Sequence, residues 1–176
     1  MMTTSSTQRG FTLVETLVAI TIIATALVGP FYAVQQALNA SRNARDQLIA
    51  TSLAQEGIEY VRSIRDSNYL YNIANVTPRS WLYRLDGTGG SDCLDAPAVC
   101  VVDPVEDTVS TNITSLYLNT DDVYTQQSEG TLTVFRRTVQ LTTVSATEVQ
   151  VSVTVTWTTK GQARSSTVSE SLNNWL

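Results

Sequence analysis

The fold is decided by Arg9-Gly10-Phe11-Thr12-Leu13-Val14-Glu15, a short stretch near the N-terminus. A polar, weakly basic leader ends at Gly10, and a long apolar run begins at the next residue. The run contains one carboxylate, Glu15, and the next charged residue is Arg42. A secretory signal peptide places its apolar segment before a small-residue cleavage site. Here the small residue comes first, so we expect the apolar run to survive processing.

The composition fits one ordinary domain joined to an N-terminal helix. The chain has 176 residues, of which 43% are hydrophobic and 15% charged, below the usual quarter for charged residues. Serine and threonine are abundant after Thr108, which favours strands. The formal net charge of −5 argues against general nucleic-acid binding. With no histidine and no glycine-rich phosphate loop, the sequence predicts a protein that is not an enzyme.

Residues 11–34 form the apolar run. As a helix these roughly 24 residues would be about 36 Å long, enough to cross a membrane. Threonine hydroxyls within the run are expected to bond to carbonyls one turn back. Gly29 and Pro30 are the one helix-breaking pair, and we expect a kink there because proline lacks the N–H donor.

Glu15 is the informative residue of this run. A carboxylate inside an apolar span costs about 2 to 4 kcal/mol unless it is paired or protonated. If the chain is cut after Gly10, the new α-amine of Phe11 lies about one helical turn away. A neighbouring subunit, staggered by one turn, would present this amine to Glu15 more directly than its own helix does. The alternative is a protonated carboxylate, or one that reaches the membrane surface.

The segment Gly10-Phe11-Thr12-Leu13-Val14-Glu15 resembles the processing signature of type IV pilins and type II secretion pseudopilins. The resemblance implies cleavage after Gly10 by a prepilin peptidase, N-methylation of Phe11 and a role in assembly for Glu15. It also implies assembly with other pilin subunits, driven by a platform and an ATPase. Two stretches are similar to the minor-pilin and pseudopilin branch: Val-Glu-Thr-Leu-Val-Ala-Ile at residues 14–20, and Leu53-Ala54-Gln55-Glu56-Gly57-Ile58-Glu59.

The helix is expected to continue over residues 35–66 with two apolar faces. Residues 49–64 form a stripe at helical spacing that we expect to pack on the chain's own sheet. The apolar residues of 31–48 point in roughly the opposite direction and are expected to contact other subunits. The alternative is one intramolecular stripe that twists continuously.

Residues 67–112 are predicted to be a connecting loop, rich in turn residues and carrying aromatics that seal it onto the helix or sheet. Cys93 and Cys100 are expected to form a disulfide, because an even number of cysteines in an exported chain indicates disulfide pairing. Two free buried thiols are the alternative. Asp92, Asp95, Asp103, Glu106, Asp107, Asp121 and Asp122 could provide oxygen ligands for structural calcium, but a solvated acidic loop is favoured, and no cofactor or metal is predicted.

Residues 113–176 are predicted to form three or four antiparallel strands. We expect a short strand at 113–119 and a strand at 131–143 with a β-bulge near Phe135-Arg136. A regularly alternating strand follows at 147–158, then a turn at 160–162 and a last strand to about Leu172. Trp175 is expected to pack under the sheet.

These observations predict an α+β, pilin-like fold, with a leader at 1–10, a transmembrane half-helix at 11–34, an amphipathic half-helix at 35–66 and a globular domain at 67–176. The predicted function is a structural subunit, held in cytoplasmic membrane lipids with its domain outside and later assembled into a pilus or pseudopilus. Two alternatives remain. One is an adhesin or DNA-uptake pilin that binds a ligand through residues 67–125 or through Arg79, Arg84, Arg136 and Arg137. The other is a single-span membrane protein without a filament role.

Overall fold

The computed structural model describes Gly10 and residues 12–174, so the predictions for Phe11 and Trp175 lie outside the described residues. The architecture is α+β, as predicted: one long N-terminal helix and C-terminal antiparallel sheets. The contacts divide the chain into two compact units, Met1–Ala44 and Arg45–Leu176, which are described separately.

Helix α1 spans Leu13–Ala74. The predicted end near Asp66 is wrong, because the helix continues for about two further turns. Asparagines that favour turns in isolation here lie within the helix and bond to the segment that follows it. The Asn68 side-chain amide donates to the carbonyls of Trp81 and Tyr83, at 3.0 and 3.1 Å. Asn72 exchanges two hydrogen bonds with the backbone of Arg79. Tertiary contacts therefore override a weak local preference.

The strands form three antiparallel sheets. Two small sheets contain β1 (Val101–Asp103) with β2 (Thr108–Ser110), and β3 (Tyr117–Leu118) between β4 (Tyr124–Thr125) and β5 (Thr131–Leu132). The main sheet has the order β6-β7-β8, with β6 at Arg136–Ser145, β7 at Glu148–Thr159 and β8 at Gln162–Asn173. This confirms the predicted antiparallel meander of three or four strands, here with three.

The β7–β8 turn follows directly from its residues. Thr159 pairs with Gln162, which leaves Lys160 and Gly161 as the loop. Both have positive φ, 52° and 77°. Two-residue hairpin loops prefer this conformation because it matches the strand twist, and glycine adopts it without steric cost. The predicted turn is therefore confirmed.

Two strand predictions are corrected by the structure. The strand expected at 113–119 is reduced to Tyr117–Leu118. The strand expected at 131–143 is interrupted rather than bulged near Phe135. Leu116 donates to the Phe135 carbonyl at 2.8 Å and accepts from the Thr133 amide at 2.9 Å, so this segment bonds to a different partner from β6. The change of alternation therefore marks a change of sheet, while the register irregularity of β6 lies between Thr143 and Ser145.

The core of the Arg45–Leu176 unit lies between α1 and the inner face of the main sheet. The predicted helical stripe is buried from Ala50 to Ile64. On β7 the alternate residues Val149, Val151, Val153, Val155 and Trp157 are at most 3% exposed. Gly57 allows the close approach of helix and sheet, because a Cβ there would lie 2.9 Å from Val153 Cγ1. This confirms that residues 49–64 pack on the chain's own sheet.

Candidate functional site

The N-terminal segment begins with a helix cap. Thr12 precedes the first helical residue, and its hydroxyl accepts a hydrogen bond from the Glu15 amide at 3.3 Å. Threonine followed three residues later by glutamate is the sequence pattern of a capping box. This pattern is visible in the sequence, although the prediction for Glu15 rests on its charge alone. Glu15 therefore lies in the first turn of α1 rather than deep inside the helix.

The Glu15 carboxylate is available for a partner outside the described chain. Glu15 is exposed. Among Gly10 and residues 12–174, its carboxylate makes no hydrogen bond or ion pair. The N-terminal end of a helix favours a nearby negative charge by about 0.3 to 1 kcal/mol. That contribution is smaller than the cost of a carboxylate in an apolar layer, about 2 to 4 kcal/mol. A cation close to the start of the helix would supply the remainder.

The helix after Glu15 presents an apolar surface on all sides. Every large apolar residue from Leu13 to Val34 is between 47% and 86% exposed. The hydroxyls of Thr16, Thr21 and Thr25 bond to carbonyls three or four residues earlier, as predicted. These bonds remove polar donors from the surface. Among the described residues, α1 is the one helix long and apolar enough to cross a membrane.

A model of the prokaryotic N-terminal methylation motif matches residues 5–29, which include the cap, Glu15 and most of this apolar surface. The chain carries that motif. The match is consistent with the type IV pilin and pseudopilin family. Comparison with curated proteins and with solved structures finds no match. The motif implies that the chain is a substrate of a prepilin peptidase and assembles with other pilin subunits.

The structure describes three of the four other residues to which the sequence assigns a role in this segment. Gly10 is exposed, while Phe11, the expected new N-terminus, lies outside the described residues. Gly29 and Pro30 lie within α1, which is helical on both sides of them. The kink expected there stays a prediction, as do cleavage after Gly10 and methylation of Phe11.

The pilin-like domain that follows the motif contains a buried arginine at a position where the sequence suggested a basic patch. Arg137 is fully buried, and its guanidinium pairs with Glu56 of α1 at 2.6 Å. It also donates to the carbonyls of Leu53 and Val102, at 3.1 and 2.8 Å. One side chain thus joins the helix, β6 and β1. The sequence does indicate the burial of Arg137, because this residue alternates in phase with the buried residues Val139 and Leu141.

The disulfide between Cys93 and Cys100 is present, and both cysteines are fully buried. The segment between them lies along the outer edge of β6. The Cys100 amide donates to the Val139 carbonyl at 2.8 Å, and the Leu141 amide donates to the Cys93 carbonyl at 2.8 Å. An unpaired sheet edge invites unwanted pairing with other chains. The disulfide segment covers this edge.

The acidic residues considered as calcium ligands mostly serve local structure. Asp103 is buried and accepts from the Thr125 hydroxyl and the Gln126 amide, both at 2.7 Å. Asp95 accepts from the amide and hydroxyl of Thr143. Within Gly10 and residues 12–174, no group of three or more histidine, cysteine, aspartate or glutamate residues could hold a metal ion. Structural calcium stays an untested alternative.

The four arginines considered for DNA binding have separate roles. Arg137 is buried, and Arg84 pairs with Asp107 at 3.0 Å. Arg79 lies against tyrosine rings, and Arg136 is exposed on β6. DNA binding needs several cations free to meet phosphates. Because two of the four already have carboxylate partners, the geometry does not favour a DNA-binding patch.

Tyr60 and Asp107 form a charged cluster with Arg84. The Tyr60 hydroxyl donates to Asp107 at 2.8 Å and accepts from Arg84 at 3.2 Å. Burial, followed by the hydrogen bond to Asp107, raises the pKa of Tyr60 to about 12. The hydrogen bonds from Tyr60 and Arg84 hold the pKa of Asp107 below its usual range. The cluster links the helix to the segment between β1 and β2.

Proposed function

We propose that this chain is a minor structural subunit of a type IV pilus or of a type II secretion-like filament. The single observation that carries the proposal is the methylation motif at residues 5–29. It is followed by a domain built around α1 and an antiparallel sheet. The assignment to the minor branch is supported only by the resemblance of residues 14–20 and 53–59. In this proposal the chain has a structural role and no enzymatic one.

The proposed mechanism begins with cleavage after Gly10 and methylation of the new N-terminus at Phe11. The apolar part of α1 then holds the subunit in the cytoplasmic membrane, with the domain outside. Its exposed side chains support this step, because bare apolar surface is stable in lipid or against other helices and not in water. An assembly platform and an ATPase would extract the subunit into the filament.

Assembly would pair Glu15 with the N-terminal amine of a neighbouring subunit. The amine is protonated near neutral pH. The exposed, unpaired state of the Glu15 carboxylate within the described chain supports this pairing. Its place in the first helical turn brings it to the level at which a neighbour, shifted by about one turn, would present its own N-terminus.

The experiment replaces Glu15 with alanine and measures both cleavage and incorporation into sheared filaments. The Glu15→Ala variant should be cut normally, yet its incorporation should fall by roughly thirtyfold, the factor that corresponds to a lost interaction of ~2 kcal/mol. Glu129→Ala removes an exposed carboxylate of the domain and is the matched control. Normal incorporation of Glu15→Ala would remove the proposed role of this carboxylate.

A further inference from the structure

A small pocket of about 260 Å³ lies beside α1 in the Arg45–Leu176 unit. Its lining residues include Ser63 and Ser67 of the helix, Arg79, Arg84 and Asp107. Two cations and one anion leave this pocket with a single positive charge, although the whole chain carries −5. The two arginines differ in how they are held.

Arg84 is fully engaged by its neighbours. Its guanidinium pairs with Asp107 at 3.0 Å, donates to the backbone carbonyl of the same residue, and bonds to the Tyr60 hydroxyl. These bonds satisfy its charge within the chain. Arg84 and Asp107 therefore form one neutral wall of the pocket.

Arg79 is held in place without a counter-charge. Its guanidinium carbon lies 4.0 Å from the ring centre of Tyr71 and 4.7 Å from that of Tyr83. Two hydrogen bonds with Asn72 fix its backbone. Within Gly10 and residues 12–174 the guanidinium forms no ion pair or hydrogen bond, and its buried Nε–H has no acceptor. A buried donor without a partner destabilises the fold.

We propose that this pocket binds a small monocarboxylate with hydroxyl groups, of the size and chemistry of a single sugar acid. The planar guanidinium of Arg79 matches a carboxylate in two-point geometry. Stacking on the tyrosines orients this fork before the ligand arrives, which lowers the entropic cost of binding. Ser63 and Ser67 provide hydroxyl oxygens for the ligand's own hydroxyls.

Charge and size select this class of ligand. A carboxylate carries one negative charge and would neutralise the pocket, whereas a phosphate monoester carries nearly two and would leave an excess negative charge there. Typical drug-sized ligands occupy roughly 300 to 1,000 Å³. A pocket of about 260 Å³ has the size for one sugar-sized group. A free acid and the acidic end of a glycan share this chemistry.

The test is calorimetric titration of the detergent-solubilised full chain with four probes: galacturonate, galactose, galactose 1-phosphate and a galacturonate trimer. We expect galacturonate to bind, galactose to give no heat, and the phosphate to bind about tenfold more weakly. Binding of the monomer alone indicates a free acid, and binding of the trimer as well indicates the end of a glycan. Both results support the proposed pocket.

Variants separate this pocket from general charge effects. Arg79→Gln should abolish binding, and Arg79→Lys, which keeps the charge but loses the planar fork, should weaken it about tenfold. Arg164→Gln removes an exposed arginine of β8 and should bind like the unchanged chain. Circular dichroism confirms that each variant is folded. No heat with either acid, equal binding of galactose, or full binding by folded Arg79→Gln would overturn the proposal.

Discussion

The two parts of helix α1 obey the same backbone rules but have opposite surroundings. Up to Ala44 the large apolar side chains are exposed, whereas from Ala50 onward the apolar stripe is buried against the sheet. Val28 is 67% exposed and Val61 is fully buried. Burying such a side chain stabilises a fold by about 1.5 to 3 kcal/mol. Only the second part gains this energy within the chain, so the first part needs lipid or other subunits.

The largest expected effect comes from the buried arginine that joins the second part of α1 to the sheet. Arg137→Ala leaves Glu56 without its partner and two buried carbonyls without a donor. We expect a loss of about 3 to 5 kcal/mol in the free energy of unfolding, measured by urea titration of the detergent-solubilised chain. Arg136→Ala, at the exposed neighbouring position, should change it by less than about 0.5 kcal/mol. Equal effects would contradict the packing described for β6.

One valine from each part of the helix tests whether the exposed and the buried parts of α1 contribute differently to stability. Val61→Ala should lower the free energy of unfolding by about 2 kcal/mol, because it opens a cavity in the core. Val28→Ala makes the same chemical change on exposed surface and should leave the unfolding of the domain unchanged. In filament incorporation the order should reverse for folded protein, with Val28→Ala showing the greater loss. An effect of Val28→Ala on domain unfolding would show that the two parts are not separate in energy.

The disulfide lies in the Arg45–Leu176 unit, which also contains the buried part of α1. Replacing both Cys93 and Cys100 with alanine should cost about 2 kcal/mol on the chain-entropy model for a loop of this length. The helicity of α1 in detergent should not change, and this is measured by far-ultraviolet circular dichroism. A reducing agent should destabilise the unchanged chain by a similar amount and have no effect on the double variant.

The smallest expected effect is a pH dependence at Tyr60. Its pKa is raised in the folded state to about 12, so its contribution to stability is complete below pH 10 and is lost as the pH rises toward 12. We expect a loss of about 1 to 2 kcal/mol over this window. The urea midpoint measured between pH 9 and 11.5 checks it, and Tyr60→Phe should reduce the slope. The Asp107 pKa is lowered instead, so its contribution is lost in acid.

The features that follow local rules were predictable from the sequence. The alternation of β7 from Val149 to Trp157 specified a half-buried strand, and Lys160-Gly161 specified the tight turn. The stripe from Ala50 to Ile64 identified the buried face of α1. In each case the period of the side chains is set by the backbone and needs no knowledge of distant partners.

The features that depend on distant partners were not predictable. Asn68 and Asn72 favour turns in isolation, and only the carbonyls of the connecting segment make them useful within a helix. The break before Arg136 is explained by the bonds of Thr133 and Phe135 to Leu116. Arg137 could have been noticed from its inward phase, but its partners are far away in sequence. The pocket at Arg79 gave no pattern in the sequence.

The central claim is that the exposed part of α1 is the assembly segment of a processed subunit. Mass spectrometry of the chain purified from its native membrane tests this claim most directly, by determining the N-terminus. We expect a chain that begins at Phe11 and carries one methyl group on its α-amine. An intact Met1, or a cut at any position other than after Gly10, would contradict it.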